Sequence, residues 1–353
     1  MGKLAKLRET LKANNLDAIL VTSPVNRQYI TGFTGTAGAV LIGENSARFL
    51  TDFRYTEQAN EQAKGFDVIE HKQQIEMEIR DQIKDMGVKR VGFEKNHVTF
   101  SQYEKYQQIL EAELVPVGGL VEELRLVKDE QELEILKKAA KIADDAFEHI
   151  QQYIKPGVKE IDISNELEFF MRKQGAVSSS FDIIVASGER SALPHGVASE
   201  KKIQAGELVT LDYGALFQGY CSDITRTFAI GEISKELENI YDTVLKAQQT
   251  GLAGIKPGIT GKEADALTRD YINEKGYGQY FGHSTGHGLG MEVHEGPALS
   301  FRSEKRLEPG MVVTVEPGIY VPGVGGCRIE DDIVITESGM ERLTYAPKNL
   351  IQL

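Results

Sequence analysis

Two cysteines in 353 residues, Cys221 and Cys327, are too few for a disulfide framework and point to a reducing compartment. Nowhere does the chain approach the roughly 18 consecutive apolar residues of a membrane span. Its first residues, MGKLAKLRETLKANN, are amphipathic and lack the unbroken apolar centre of a signal peptide. Lys6 stands where a myristoylation signal after Gly2 needs Ser or Thr. Basic charge is also scarce: 40 Lys and Arg against 53 Asp and Glu leave a net charge of −13. That balance argues against nucleic acid, whose partners present a basic face to the phosphates. The glycine-rich run GHSTGHGLG lacks the Lys-Ser/Thr ending of a phosphate loop. A cytoplasmic protein independent of membranes and nucleic acid is expected.

At this length two domains are the default, with room for a large core. Residues 1–124 alternate helical and strand patterns: a helix over 3–14, then strands at DAILVTS, GAVLIG, ARFLTD, RVGFE and LVPV. This predicts an α/β domain with a largely buried sheet. Two polar-aromatic islands, NRQYITGFTGTAG and TDFRY, read as turn chemistry. A long helix follows with Asp129 as N-cap and Glu132 three residues on, and its apolar positions from Leu133 to Ile150 keep a 3–4 spacing. The second domain, 129–353, opens with it.

That second domain repeats itself at a period of about 100 residues. IKPGV at 154–158 recurs as IKPGI at 255–259, each followed by a helical pattern ending at a glycine, Gly175 and Gly276. GELVTLD at 206–212 matches GMVVTVE at 310–316, aligning Asp212 with Glu316; farther on, Asp223 pairs roughly with Glu330 and His195 with His294. Such a duplication would bring two carboxylates and a histidine from each side of a pseudo-twofold axis, which suits a binuclear centre.

Aspartates inside Val/Leu/Ile strands are costly to bury without a cation or a hydrogen-bond partner. Asp212 and Asp223 flank a turn around Phe217-Gln218-Gly219, so an antiparallel pairing can set both on one face. His287 lies in GHGLG, where glycines allow close approach. The set Asp212, Asp223, His287, Glu316 and Glu330 is oxygen-rich with one imidazole, a mix suited to Mn²⁺, Co²⁺, Fe²⁺ or Zn²⁺. The cysteines near Asp223 and Glu330 read as small buried strand residues.

LDYG, SDITRT, STGHGLG, VEPGIY and RIEDD together resemble the five metal-ligand motifs of the pita-bread metallopeptidases: methionine aminopeptidase, prolidase and aminopeptidase P. Residues 1–124 resemble the creatinase-type amino-terminal domain of the proline-directed members, which methionine aminopeptidases lack. The resemblance implies an α/β amino-terminal domain followed by an α+β pita-bread domain with an internal pseudo-twofold repeat. It also implies a homodimer that hydrolyses Xaa-Pro bonds in short peptides with two divalent ions per subunit, Mn²⁺ being favoured. Carried over by position, Asp212 holds one ion, Asp223 and Glu330 bridge, and His287 with Glu316 holds the other. Glu316 would then shuttle the proton from the attacking water to the leaving nitrogen. His195 and His294 would stabilise the charge developing on the scissile amide.

The archaeal prolidase pattern places an arginine directly after HE-x-P, but Ala298 follows Pro297 here, and Arg302 comes four residues later. Arg302 either clamps a dipeptide's free carboxylate or belongs to a solvated turn with Lys305 and Arg306. Both Xaa-Pro dipeptidase and Xaa-Pro aminopeptidase therefore stay open, the compact chain leaning toward the dipeptidase. Two remoter readings are a serine hydrolase with Ser284 in the G-x-S-x-G string GHSTG, which needs a strand before and a helix after, and a non-catalytic binding protein on a peptidase scaffold.

Overall fold

The computed structural model describes residues 2–353 and divides after Arg125 into two compact units. The first unit is built on a six-stranded mixed sheet in the order 67–70, 47–51, 39–43, 18–21, 90–94, 113–117. Its central strands, Ala18–Val21 and Ala39–Gly43, are buried along their whole length, as expected of near-continuous apolar runs covered on both faces. Of the two polar-aromatic islands, TDFRY makes a turn, whereas NRQYITGFTGTAG begins inside the helix Pro24–Thr31 and turns only from Gly32 onward. Buried Arg27 donates to the carbonyls of Gly38 and Gly35 at 2.7 and 2.8 Å, and exposed Arg54 pairs with Asp52 at 2.8 Å.

The second unit opens with the helix Glu130–Ile150, whose Asp129 cap exchanges both hydrogen bonds of a capping box with Glu132. The repeat read in the sequence is visible as architecture. Helices Glu130–Ile150 and Glu160–Lys173 precede one set of strands, and helices Lys235–Gly254 and Gly261–Glu274 precede the other. Gly175 and Gly276, after the second helix of each pair, both take positive φ. In the first half the strands Ile184–Ser187, Leu208–Tyr213 and Ile224–Ala229 pair antiparallel. In the second half Gly286–Gly288, Val312–Val315 and Asp331–Ile335 do the same.

Within each half the chain leaves the main sheet for a short hairpin and returns. Strands Ala215–Phe217 and Tyr220–Cys221 pair in the first half, and Gly318–Val321 pairs with Gly325–Arg328 in the second. The first departure is tight: a Cβ on Gly214 would sit 1.7 Å from the Ser222 carbonyl oxygen, so only glycine fits. Apolar clusters under the helices hold these strands, with stacked Phe147 and Phe228 in the first half and Leu299, Val313 and Ile333 in the second. Cys221 and Cys327 are free thiols buried in the hairpins. No described helix is long and apolar enough to cross a membrane.

Candidate metal centre

All four carboxylates singled out in the sequence stand where a main strand meets its hairpin. Asp212 lies near the end of Leu208–Tyr213 and Asp223 immediately before Ile224–Ala229; Glu316 follows Val312–Val315 and Glu330 precedes Asp331–Ile335. His287 comes from the middle of Gly286–Gly288. That strand is pressed so close to its neighbour that a Cβ on Gly286 would fall 2.0 Å from the Thr314 carbonyl oxygen. These five residues, with His195, His294 and Arg328, line one cavity of about 470 Å³.

The hydrogen bonds orient the donors. His287 Nδ1 donates to the Gly288 carbonyl at 3.1 Å, which turns Nε2 toward Glu316 Oε1 at 3.3 Å and Asp223 Oδ2 at 3.7 Å. Thr225 donates to Glu330 Oε2 at 2.6 Å, and the Arg328 guanidinium is spread over four partners: Asp212 Oδ2, Tyr320 Oη at 2.7 Å, Thr225 Oγ1 at 3.0 Å and the Pro194 carbonyl at 3.1 Å. Each of Asp212, Asp223 and Glu330 keeps one further carboxylate oxygen buried with no hydrogen-bond partner. Bare buried carboxylate oxygens are destabilising unless a cation takes them.

Electrostatics point the same way. Burial pushes the Asp223 carboxyl well above its ordinary range, and Glu330 and Asp212 add to it; Glu330 is raised by burial and then by Glu316 and Asp212. Glu316 is pushed up to about 8 by burial, with Asp212 adding and Arg328 opposing. Four acidic groups thus face one another with Arg328 the one full cation lining the cavity. Divalent cations would reverse that repulsion. One ligand atom each from Asp223, His287 and Glu330 already lie within 4.8 Å of one another. The residues present therefore fit a divalent metal centre, with Asp212 and Glu316 on its flanks.

His195 and His294 are exposed on the cavity wall, and the His294 ring meets His287 edge-on at 4.4 Å between centroids. Arg302 is not among the residues lining the cavity. It lies on the surface with its guanidinium 4.9 Å from the centre of the Phe301 ring. Ser284 does line the cavity, but Gly286–Gly288 continues as a strand where a nucleophile elbow needs a helix, so the serine-hydrolase reading fails on local structure.

Several functional neighbours escaped the sequence reading. Tyr320 accepts from Arg328, so its own proton goes to His283 Nε2 at 2.8 Å, while His283 Nδ1 donates to the Ser284 carbonyl. Those bonds keep His283 a neutral imidazole, and burial first, then Arg328, lowers it to about 4. In RIEDD, buried Asp331 pairs with Arg226 at 2.7 Å, and Asp332 Oδ2 accepts from the Asp223 backbone N–H at 2.9 Å. Lys128 and Glu295 form a pair buried on both sides, 2.7 Å apart, next to His294. An arginine inside the motif strings SDITRT and RIEDD was the available signal for Arg226 and Arg328; nothing in the local pattern marks Lys128.

Residues 134–337 match the model of metallopeptidase family M24, and residues 3–127 match that of the creatinase/prolidase N-terminal domain. A solved structure described as Xaa-Pro dipeptidase from Bacillus anthracis superposes with a TM-score of 0.99 at 60% identity, covering 99% of both chains. The Xaa-Pro dipeptidase of Pyrococcus horikoshii is 41% identical over 99% of this chain and 98% of its own. An X-Pro aminopeptidase structure from Thermotoga maritima gives a TM-score of 0.92 at 41% identity, covering 98% of this chain and all of that one.

Proposed function

The chain belongs to metallopeptidase family M24 and carries a creatinase/prolidase N-terminal domain, and from that premise we propose that it hydrolyses Xaa-Pro bonds in short peptides as an Xaa-Pro dipeptidase. The observation that carries the reading is the set of bare, buried carboxylate oxygens at the strand-to-hairpin breaks, facing one small cavity. Relatives described as Xaa-Pro dipeptidases at 41% and 60% identity support the substrate class.

In this reading Asp212, Asp223, His287, Glu316 and Glu330 would together hold two divalent ions. We favour Mn²⁺, with Co²⁺, Zn²⁺ or Fe²⁺ as alternatives suited to the same donors. Bound there, two divalent ions supply Lewis acidity and a hydrolytic water of lowered pKa. Arg328 fixes Asp212, and Thr225 fixes Glu330, so the carboxylates meet substrate without reorganising. Glu316 carries the proton to the departing proline nitrogen. His195 and His294, both exposed on the cavity wall, donate to the scissile amide as charge develops.

An Xaa-Pro bond has no N–H to read, so recognition falls on the ends of the substrate. Arg302 takes the proline carboxylate: its guanidinium makes no ion pair among the described residues and sits in the loop after Pro297. The enzyme works as a cytoplasmic homodimer. The Thermotoga relative favours a second reading, aminopeptidase action on longer peptides. Metal-stripped protein reloaded with each ion and assayed on Xaa-Pro and Xaa-Pro-Yaa separates the two. Cleavage of dipeptides alone, with KM raised about tenfold in Arg302→Ala, is the expected outcome. Equal cleavage of tripeptides would replace dipeptidase by aminopeptidase, and absence of cleavage with every ion would overturn both.

A further inference from the structure

Beyond the groups assigned above, the cavity has an apolar wall of Phe181, Ile184, Val197 and Val293, and one more carboxylate, Asp182. Asp182 is exposed at the cavity's edge and engages no hydrogen bond or ion pair among the described residues. Its neighbour Ile184 stands directly across the strand pair from Asp212. Two residues of chain, at most about 7 Å, therefore separate Asp182 from the residue flanking a metal ligand.

The charge balance of the cavity makes this carboxylate distinctive. Asp212, Asp223, Glu316 and Glu330 would be matched by divalent ions in the proposed centre, and Arg328 is spent on Asp212, Tyr320, Thr225 and the Pro194 carbonyl. Among the described residues, none pairs with Asp182, and it lies outside the set of carboxylates that would hold metal. The apolar wall beside it suits an aliphatic stem, and a long cationic side chain combines such a stem with a charged head.

We propose that Asp182 reads the side chain of the residue before proline and favours substrates in which that residue is lysine or arginine. The inference rests on the Xaa-Pro reading of the cavity and names the part of the substrate that the catalytic groups do not distinguish. A dipeptide has one variable side chain, leaving the backbone one bond from the scissile carbonyl, so it departs beside Ile184. A cationic head at its end reaches the rim where Asp182 stands. A glutamate there meets like charge.

The test compares kcat/KM for lysyl-proline with that for norleucyl-proline, which has the same length and no charge. A ratio of two kcat/KM values is independent of how much enzyme is folded or metal-loaded. We expect a preference of roughly fivefold for lysyl-proline, the upper end of what a solvent-exposed pair provides, shrinking toward one in high salt. Asp182→Asn should abolish the preference, and Asp182→Lys should turn it toward glutamyl-proline. Calorimetric binding of uncleavable reduced-amide forms of the two dipeptides should give the same ratio without turnover. A lysyl/norleucyl ratio near one in the unmodified protein, or one that Asp182→Asn leaves unchanged, overturns the inference while the Xaa-Pro activity stands. If neither dipeptide is cleaved with any metal, the activity falls and the inference with it.

Discussion

The two halves of the second unit place their carboxylates by the same device and differ in what stands opposite. In the first half Ile184 pairs with Asp212 and Ala186 with Thr210. In the second, the Glu316 N–H donates to the Thr285 carbonyl, and Gly288 pairs with Val313, which sets His287 across from Thr314. Since Asp212 corresponds to Glu316 and Thr210 to Thr314, the position of His287 in one half is that of Ala186 in the other. One duplicated frame thus yields Asp212 and Glu316 in matching positions and a single imidazole, while the other two acids are offset: Thr225 stands across from Asp212, and the register of Val315 with Asp331 sets Glu330 across from Glu316. A second difference is an exchange of arginines. Arg226 of the first half reaches Asp331 of the second, and Arg328 of the second reaches Asp212 of the first. The carboxylates follow from the repeat, and the bonds that orient them cross between halves.

The carboxylates shared by both halves should produce the largest effect. Asp223→Asn removes a carboxylate proposed above to hold metal, and activity should fall by about a thousandfold or more, measured as kcat/KM on a proline dipeptide. In the metal-free protein the same change relieves crowding around Glu330, and unfolding should be harder by about 1–2 kcal/mol. If Asp223→Asn instead destabilises the stripped protein, the carboxylates are not held against their own repulsion. The pH dependence makes the same point. Glu316 titrates in the folded, metal-free protein near 8 against an ordinary 4.5, raised by burial first. The folded state therefore holds a proton that the unfolded chain has lost. Its contribution is complete below pH 4.5 and fades as pH rises through 8, so stripped protein should melt at lower temperature at pH 8 than at pH 5. A melting temperature that rises over that interval would contradict the assignment.

The crossing arginine ranks next. Arg328→Met keeps volume and removes the donors to Asp212, Tyr320 and Thr225. Loss of a group that orients a metal ligand costs about 10–100-fold in metal affinity, measurable by titrating Mn²⁺ into stripped protein. If Arg328 only filled space, affinity would be unchanged. The expected stability loss is about 3–5 kcal/mol, because Asp212 is left buried and unpaired.

The acidic groups and His287 that line the cavity, and both levels of the fold, were legible because they leave local marks. Acidic residues interrupt apolar strands, a capping box opens the long helix, and IKPG recurs at a fixed distance. Partnerships spanning a hundred residues leave no such mark. Nothing near Arg328 names Asp212, 116 positions away, and nothing near Lys128 names Glu295. The neutral state of His283 depends on burial first and then on Arg328, an environment that only the folded chain creates. Arg302 was legible as a charge in the loop after Pro297, while its place on the surface outside the cavity lining goes with the turn around Phe301. The Gly214 departure was likewise hidden. A glycine after LDY reads as a turn, whereas its cause is the Ser222 carbonyl lying where a side chain would be.

The smallest effect tests whether the asymmetry at His287 is a matter of room. Ala186 is buried, and a Cβ added to Gly196 would meet the Ala186 methyl at 2.9 Å, so the first half has no space at this position for a ring. Ala186→His should therefore overpack the strand and destabilise the protein by about 1–3 kcal/mol, without tightening metal binding. Ala186→Ser, which adds one oxygen, should be milder. Melting temperature and Mn²⁺ affinity measured on the same samples decide it. A histidine variant that folds normally and binds metal more tightly would mean the first half has room for a second imidazole. The single-imidazole site would then have to be explained by something other than packing.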